Sequence, residues 1–199
     1  GAFKHFLTLQ EQYDSYFFIA DYHSLTTHPN PADLKGSVQR VLAEYIALGL
    51  DPEKCTIYLQ SDLPETAELY LFLNMNAYMG ELERVTSFKD KVRSQPDNVN
   101  AGLLTYPVLM AADILIHKGV KVPVGKDQLQ HLEMTRDVAS RFNNQMGDTF
   151  VIPDAKIDDQ TKYVPGVDGY KMSKSRNNLI NIFLPMKQLK KQIMSIKTD

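Results

Sequence analysis

Val120-Lys121-Val122-Pro123-Val124-Gly125-Lys126-Asp127-Gln128-Leu129-Gln130-His131 is the stretch that decides the fold. Its valine-rich start reads as a short strand over 120–124, with Pro123 near the strand's end. Gly125 stops the strand. From Lys126 to about Asn143, Leu129, Leu132, Val138 and Phe142 mark a long helix. A strand that passes through one glycine into a helix is the repeating junction of a parallel α/β layer. The junction can also carry chemistry. Gly125 lets a ligand approach bare backbone. Asp127 can accept two ribose hydroxyls, and Gln128 offers both a donor and an acceptor. An ordinary strand-to-helix cap, with Asp127 complementing the helix dipole, accounts for the same residues. His131 reads as a helix-face residue, since the chain has no Cys/His spacing of the metal-binding kind.

Working outward, the same alternation returns. Tyr16-Phe17-Phe18-Ile19-Ala20 is an apolar run ending at Asp21, and it reads as a fully buried strand. A first helix precedes it, reaching about Tyr13, and a loop over Ser24 to Pro31 follows it. Asp33 to Leu48 is an amphipathic helix closed by Gly49, with Leu34, Val38, Val41, Leu42 and Tyr45 on one face. Thr56 to Gln60 is another strand, and a helix from Glu65 to about Met75 follows it, with Pro64 suited to its first turn. Gly80-Glu81-Leu82-Glu83-Arg84 begins one charged helix that ends near Lys91. Ser94 to Asn100 is a polar turn region. In the apolar stretch from Ala101 to His117, Pro107 predicts a short turn and then a helix. Residues 147–170 are turn-rich and poorly patterned. The order predicts a doubly wound parallel sheet, with ligands beyond the C-terminal strand ends. Polar clusters sit there: Asp21 and His23, Gln60 and Ser61, and Gly125 to Gln128.

The composition excludes several classes. With 199 residues, 43% hydrophobic and 23% charged, the chain reads as one globular domain with a real core. A net charge of −2 gives no global basic field, so any nucleic-acid contact needs a local patch. The single cysteine, Cys55, rules out an internal disulfide framework and fits a reducing compartment. No apolar run approaches the roughly 18 residues of a membrane span. Both ends read as cuts through a longer protein. The chain starts in a helical pattern without an initiating Met, and it stops just after the helical Met186–Ile196.

Three further strings can carry chemistry. Gly169-Tyr170-Lys171-Met172-Ser173-Lys174-Ser175-Arg176 suits a polyphosphate, because two mobile ammonium groups, serine hydroxyls and loop amides gather within a few residues. A solvated basic loop before a helix is the bland alternative. In Tyr106-Pro107-Val108-Leu109-Met110-Ala111-Ala112-Asp113-Ile114, Asp113 is an acid inside an apolar helix, and such an acid must be paired. Met110 and Asp113 face the same way with Ile114 beside them, a set that would grip a flat apolar ring with one N–H. An Asp that caps a neighbouring loop is the alternative. Lys89 and Lys91, near the end of the charged helix, could reach a phosphate, and His23 could orient a substrate or be structural.

Taken in order, several strings resemble the bacterial-type tryptophanyl-tRNA synthetases, class I aminoacyl-tRNA synthetases. They are Phe18-Ile19-Ala20-Asp21-Tyr22-His23, Gly80-Glu81-Leu82-Glu83-Arg84, Tyr106 to Leu115, Val122 to Gln128, and Lys171-Met172-Ser173-Lys174-Ser175. The resemblance covers nearly the whole chain. It implies a Rossmann-like nucleotide-binding catalytic domain over residues 1–199, with 186–199 as the start of a helical C-terminal region. It implies a cytoplasmic homodimer that activates L-tryptophan with Mg-ATP and passes it to tRNA(Trp). Asp113 would accept the indole N–H, while Met110, Ile114, Val122 and Val124 hold the ring. Tyr106 and Gln128 would fix the ammonium and carboxylate, with His23 nearby. Gly125, Lys126 and Asp127 would hold the ATP ribose, Val164 would border the adenine, and Met172 belongs to the ATP-binding loop. Lys171, Lys174, Ser173 and Ser175 would stabilise the leaving pyrophosphate, with Lys89 or Lys91 assisting. Magnesium would arrive on the ATP, with no protein-built metal cage.

The departures from the family are specific. Its His-Ile-Gly-His-like turn and its anticodon-recognising helical domain lie outside this chain, so the piece alone is expected to be inactive or weak. Lys126 stands where an acid is common. Three other readings remain open at this level. They are a tyrosyl-tRNA synthetase core, a synthetase-like module that binds tryptophan or ATP without charging tRNA, and a structural fragment with an open pocket.

Overall fold

The computed structural model describes residues 2–125, 128–157, 164–170, 172 and 176–197. Its elements run α1 (Ala2–Gln10), β1 (Ser15–Ile19), α2 (Asp21–Ser24), α3 (Pro31–Ala47), β2 (Cys55–Leu59), α4 (Glu65–Asn74), α5 (Met79–Leu82), α6 (Thr86–Ser94), α7 (Ala101–Leu115), β3 (Lys121–Val124), α8 (Leu129–Met146), β4 (Asp154–Ile157) and α9 (Met186–Met194). Both strand pairings are parallel. Ser15 to Ile19 lie opposite Cys55 to Leu59, and Lys121 to Val124 lie opposite Asp154 to Ile157. Helices make the crossovers, α2 and α3 in the first pair and α8 in the second. The expected parallel α/β layering is present, as two separate hydrogen-bonded pairs among the described residues.

The larger core is helical. Val108, Ala111, Ala112 and Leu115 of α7 pack with Leu73 of α4, Leu82, Val85, and Val138 and Ala139 of α8. Removing a leucine such as Leu73 or Leu115 from water on folding contributes about 1.5–3 kcal/mol each. α7 carries apolar residues nearly all round because helices cover it on more than one side. That burial explains the first difference from expectation. Pro107 lies inside one continuous helix, fully buried, and no turn interrupts Ala101–Leu115. Proline has no N–H for the carbonyl four residues back, and packing on both flanks outweighs the lost bond. A second cluster joins Phe17, Leu50 and Cys55 to the aromatic rings of Phe3, Phe6 and Tyr45.

Four other elements depart from the sequence reading. The charged helix after Gly80 is two helices, because Val85 takes an extended conformation (φ −62°, ψ 123°) that turns its side chain into the core. Gln130 Oε1 then accepts the Thr86 N–H at 3.1 Å and caps the second piece. β4 falls within the stretch read as poorly patterned. Its four residues alternate polar and apolar, but the run is only four residues long and mostly exposed. Lys121, directly opposite Asp154, bonds that carboxylate at 2.8 Å, and Arg136 approaches it at 3.3 Å. α3 begins at Pro31, where Asn30 caps the Ala32 N–H and proline sets the first turn. β1 is buried on one face only. Ser15, Phe17 and Ile19 point into the molecule, while Tyr16 and Phe18 face the other side.

Candidate functional site

The polar residues after β1 and β2 converge on the middle of α7, and Gln128, after β3, is linked to α7 through His131 and Tyr106. Asp21 Oδ1 accepts the backbone N–H groups of Tyr22 at 3.0 Å and Ser61 at 3.1 Å, which ties the two strand ends together. Gln60, fully buried, accepts the Tyr22 N–H on Oε1 at 3.0 Å and donates Nε2–H to Asp113 Oδ1 at 2.7 Å. His23 meets the other carboxylate oxygen, Nε2 to Oδ2 at 2.8 Å. Since a carboxylate only accepts, the His23 Nε2 carries the hydrogen. Asp113 is 4% exposed. The acid in the apolar helix is therefore paired on both oxygens, as its burial requires. A carboxylate has about four lone-pair sites, so one N–H of a ligand can be added to these two.

Asp113 and Ile114 border a cleft of about 640 Å³ between β1 and β3, with Tyr16, His117, Val122 and Pro123 also on its walls. Met110, one turn before Ile114 on α7, and Val124, two residues after Val122 on β3, are half-buried on the matching faces. His117 lies flat on Tyr16, ring centroids 4.5 Å apart, and its Nε2 is 2.6 Å from the Tyr58 hydroxyl. Burial, with the Asp113 charge second, pushes the Tyr58 phenol up to about 12. Burial pushes His117 down, against the pull of Asp113. Both groups are thus neutral near pH 7 beside a fixed negative charge.

Tyr106 of α7 ties the remaining residues together. Its ring meets His23 edge-on at 5.3 Å and His131 edge-on at 5.2 Å, and the Lys91 ammonium stands 5.0 Å from its centroid. Of the two lysines considered on α6, the structure thus brings Lys91 to the site. Lys89, two residues away on the helix surface, is exposed on another face. Gln128 sits at the N-cap of α8, after the exposed Gly125. Met172, within the Lys171–Ser175 string that is the family's signature loop, donates its N–H to the Val164 carbonyl at 2.8 Å. Lys126, Asp127, Lys171, Ser173, Lys174 and Ser175 lie outside the described residues. Among the described residues, no group of three or more His, Cys, Asp or Glu side chains is placed to hold a metal ion. No described helix is long and apolar enough to cross a membrane.

Two residues act where the sequence pattern shows no role. Gln60 is visible there only as a polar strand end. Its partner, Asp113, lies 53 positions away, and pairing at that separation leaves no periodic signal. His131 is 2% exposed and hydrogen-bonded on both ring nitrogens, so it is a buried junction and not simply a helix-face residue.

A parallel α/β layer with its polar residues gathered beyond the strand ends is a frame that binds ligands at those ends. The model of the class I tRNA synthetases for tryptophan and tyrosine matches residues 1–199, and the chain belongs to that family. Along its full length the chain is 57% identical to the tryptophan–tRNA ligase of Porphyromonas gingivalis, of which it covers 62%. It is 54% identical to that of Fusobacterium nucleatum, covering 61%. The solved tryptophanyl-tRNA synthetase of Campylobacter jejuni, in complex with ADP and tryptophan, superposes on the whole chain with a TM-score of 0.95. The two are 46% identical, and the match covers 62% of the Campylobacter chain. The chain thus spans rather less than two thirds of the length of these relatives.

Proposed function

We propose that this chain is the catalytic part of a tryptophan–tRNA ligase. Asp113 carries the reading: a buried carboxylate at the wall of an apolar cleft, held on both oxygens by His23 and Gln60, and so preset as an acceptor for an indole N–H. Ile114 and Val122, with Met110 and Val124 beside them, would hold the ring faces. Tyr106 and Gln128 would take the ammonium and carboxylate. A site built around a buried polar partner rejects ligands that lack the matching group far better than an apolar pocket does. The likeness to tryptophan–tRNA ligases over the whole chain supports this choice over a tyrosyl enzyme.

In the first step, a carboxylate oxygen of tryptophan attacks the α-phosphorus of ATP. The bond from that phosphorus to the β-bridging oxygen breaks, and pyrophosphate leaves with the electron pair. In the second, a hydroxyl of the terminal ribose of tRNA(Trp) attacks the acyl carbon, its proton passes to a phosphate oxygen of the adenylate, the bond from the acyl carbon to the phosphate oxygen breaks, and AMP leaves. The amino acid itself supplies the nucleophile, so the protein's part is positioning and charge stabilisation. Lys91, over Tyr106, would meet phosphate negative charge from α6. Lys171, Ser173, Lys174 and Ser175 would meet it from the signature loop, and Gly125, Lys126, Asp127 and Val164 would hold the nucleoside. Magnesium would come with ATP, neutralising its phosphates.

The enzyme would work in the cytoplasm as a homodimer. Leu71, Phe72, Met75, Tyr78 and Met79, all exposed from the end of α4 to the start of α5, offer an apolar surface for a second copy.

Calorimetric titration with L-tryptophan, against L-tyrosine and an Asp113→Asn variant, tests the reading. The introduced amide would turn its NH₂ toward one of two groups that already donate. Tryptophan-selective binding, weakened about tenfold or more in the variant, is the expected result. Equal binding of tyrosine, or an indifferent variant, would remove the specificity argument. The catalytic half is read by tryptophan-dependent ATP–pyrophosphate exchange in the protein extended to the length of its relatives.

A further inference from the structure

Ser87, His131 and Gln128 form a hydrogen-bonded line through the interior, from α6 to the start of α8. His131 Nδ1 is 3.0 Å from Gln128 Oε1, and His131 Nε2 is 2.7 Å from Ser87 Oγ. With Oε1 of Gln128 facing the ring, the line runs one way. An amide oxygen can only accept, so the hydrogen sits on Nδ1. In the neutral ring Nε2 then accepts from the Ser87 hydroxyl. With the hydrogen on Nδ1, turning the Gln128 amide over would set its NH₂ against that N–H, so this tautomer and this amide orientation hold each other in place. Ser87 and Lys91 are four residues apart, on one face of α6. Ser87 touches His131, Lys91 stands over Tyr106, and Tyr106 meets His131 edge-on. The four side chains close a ring of contacts in which α6 cannot shift without disturbing His131.

We infer that His131 is a positioning residue for the amino-acid end of the site. It fixes the amide of Gln128, and its bond to Ser87 anchors the ring on α6. The inference rests on the proposed role of Gln128 in holding the amino acid. Its effect falls on the binding of tryptophan, since ATP is held elsewhere. Asparagine at position 131 keeps an N–H near the place of Nδ1 and so keeps the bond to Gln128, while leucine keeps bulk alone.

Two measurements test it. The first needs no ligand. In the ¹⁵N-labelled chain, the imidazole nitrogens of His131 should report the Nδ1–H tautomer, and Gln128→Ala should abolish that preference. An Nε2–H tautomer in the unaltered chain would overturn the relay. The second is ATP–pyrophosphate exchange in the protein extended to the length of its relatives. His131→Leu should raise the KM for tryptophan about tenfold and leave the KM for ATP within about twofold, and His131→Asn should recover tryptophan KM to within about threefold of the parent. A folded His131→Leu enzyme with an unchanged tryptophan KM would overturn the inference, as would an Asn variant no better than Leu. A parent protein without tryptophan-dependent exchange would sink the ligase reading and the role given to Gln128. The tautomer would still decide the hydrogen-bond line by itself.

Discussion

Tyr58 is the residue whose chemistry is easiest to read out. Its phenol is raised to about 12 in the folded chain, by burial first and the nearby Asp113 charge second, against about 10 for an unfolded tyrosine. Between those values the folded chain keeps a proton that the unfolded chain gives up. The contribution of Tyr58 to stability is therefore full below about pH 10 and is lost as the pH rises to about 12. Melting temperatures measured over that window should fall more steeply in the parent than in Tyr58→Phe, and parallel curves would show that the phenol is not held. His117 has the opposite sign. Burial lowers it, so its contribution is present above about pH 6.5 and is lost as the pH falls through its depressed folded value. The sequence made some residues of this region legible and hid others. Asp113 stood out because an acid among Met, Ala and Ile needs a partner. Gln60, His131 and Tyr58 did not, because each draws its role from a residue between 44 and 59 positions away. A lone polar residue carries no mark of such a partner.

Among the elements, those set by local chemistry were readable and those set by neighbours were not. The apolar spacing of α3 and α8 showed in the sequence, as did the glycine that closes α3. The uninterrupted α7 did not, because Pro107 is tolerated only by the helices packed around it. β4 is held by its ladder to β3, with Lys121 of β3 and Arg136 of α8 on Asp154, and the alternation in Asp154-Ala155-Lys156-Ile157 is too short to stand out. The base of the signature loop is a third case. Asp168 Oδ1 accepts from Asn178 Nδ2 at 2.7 Å and from the Tyr170 N–H at 3.0 Å, and these bonds hold its carboxyl below the usual range. The Val167 N–H bonds the Asn178 carbonyl at 3.1 Å. Asn178 is 1% exposed and lies against Gly166, where an added Cβ would come within 2.4 Å of its amide and 2.5 Å of its backbone oxygen. Backbone cannot give way as a flexible side-chain tip can. Gly166→Ala should therefore cost about 1–3 kcal/mol in urea unfolding. Gly147→Ala is the control for strain without crowding, since its φ is +88° and no atom lies within 4 Å of the added carbon. A Gly166 variant as stable as the parent would mean that the clamp is loose.

For the whole molecule, the parallel α/β order was legible because each of the first three strands is bounded by turn residues and followed by a helical period. The division into two strand pairs, with a cleft between β1 and β3, was not. Periodicity shows which way a side chain faces but not which strand lies beside it. The exposed apolar surface is also a property of the whole. Met75 is 74% exposed, and Leu71, Phe72, Tyr78 and Met79 are each more than half exposed. Scattered singly they would be ordinary, but five within nine residues of chain make a patch that a second copy can cover. The same region has a rigid backing. Arg141 binds Glu81 at 2.7 Å and the Asn76 carbonyl, and its guanidinium lies 4.2 Å from the Tyr78 ring centroid. A stable interface needs about 800 Å² from each partner, so this patch would be the centre of a larger contact. Charges at its middle would be buried on association and left unpaired there. Phe72→Glu with Met75→Lys should therefore move sedimentation from dimer to monomer at micromolar concentration while the far-ultraviolet spectrum stays that of the parent. A parent chain that sediments as a monomer at every concentration would remove the proposed dimer. A double variant that stays dimeric would move the interface to another face.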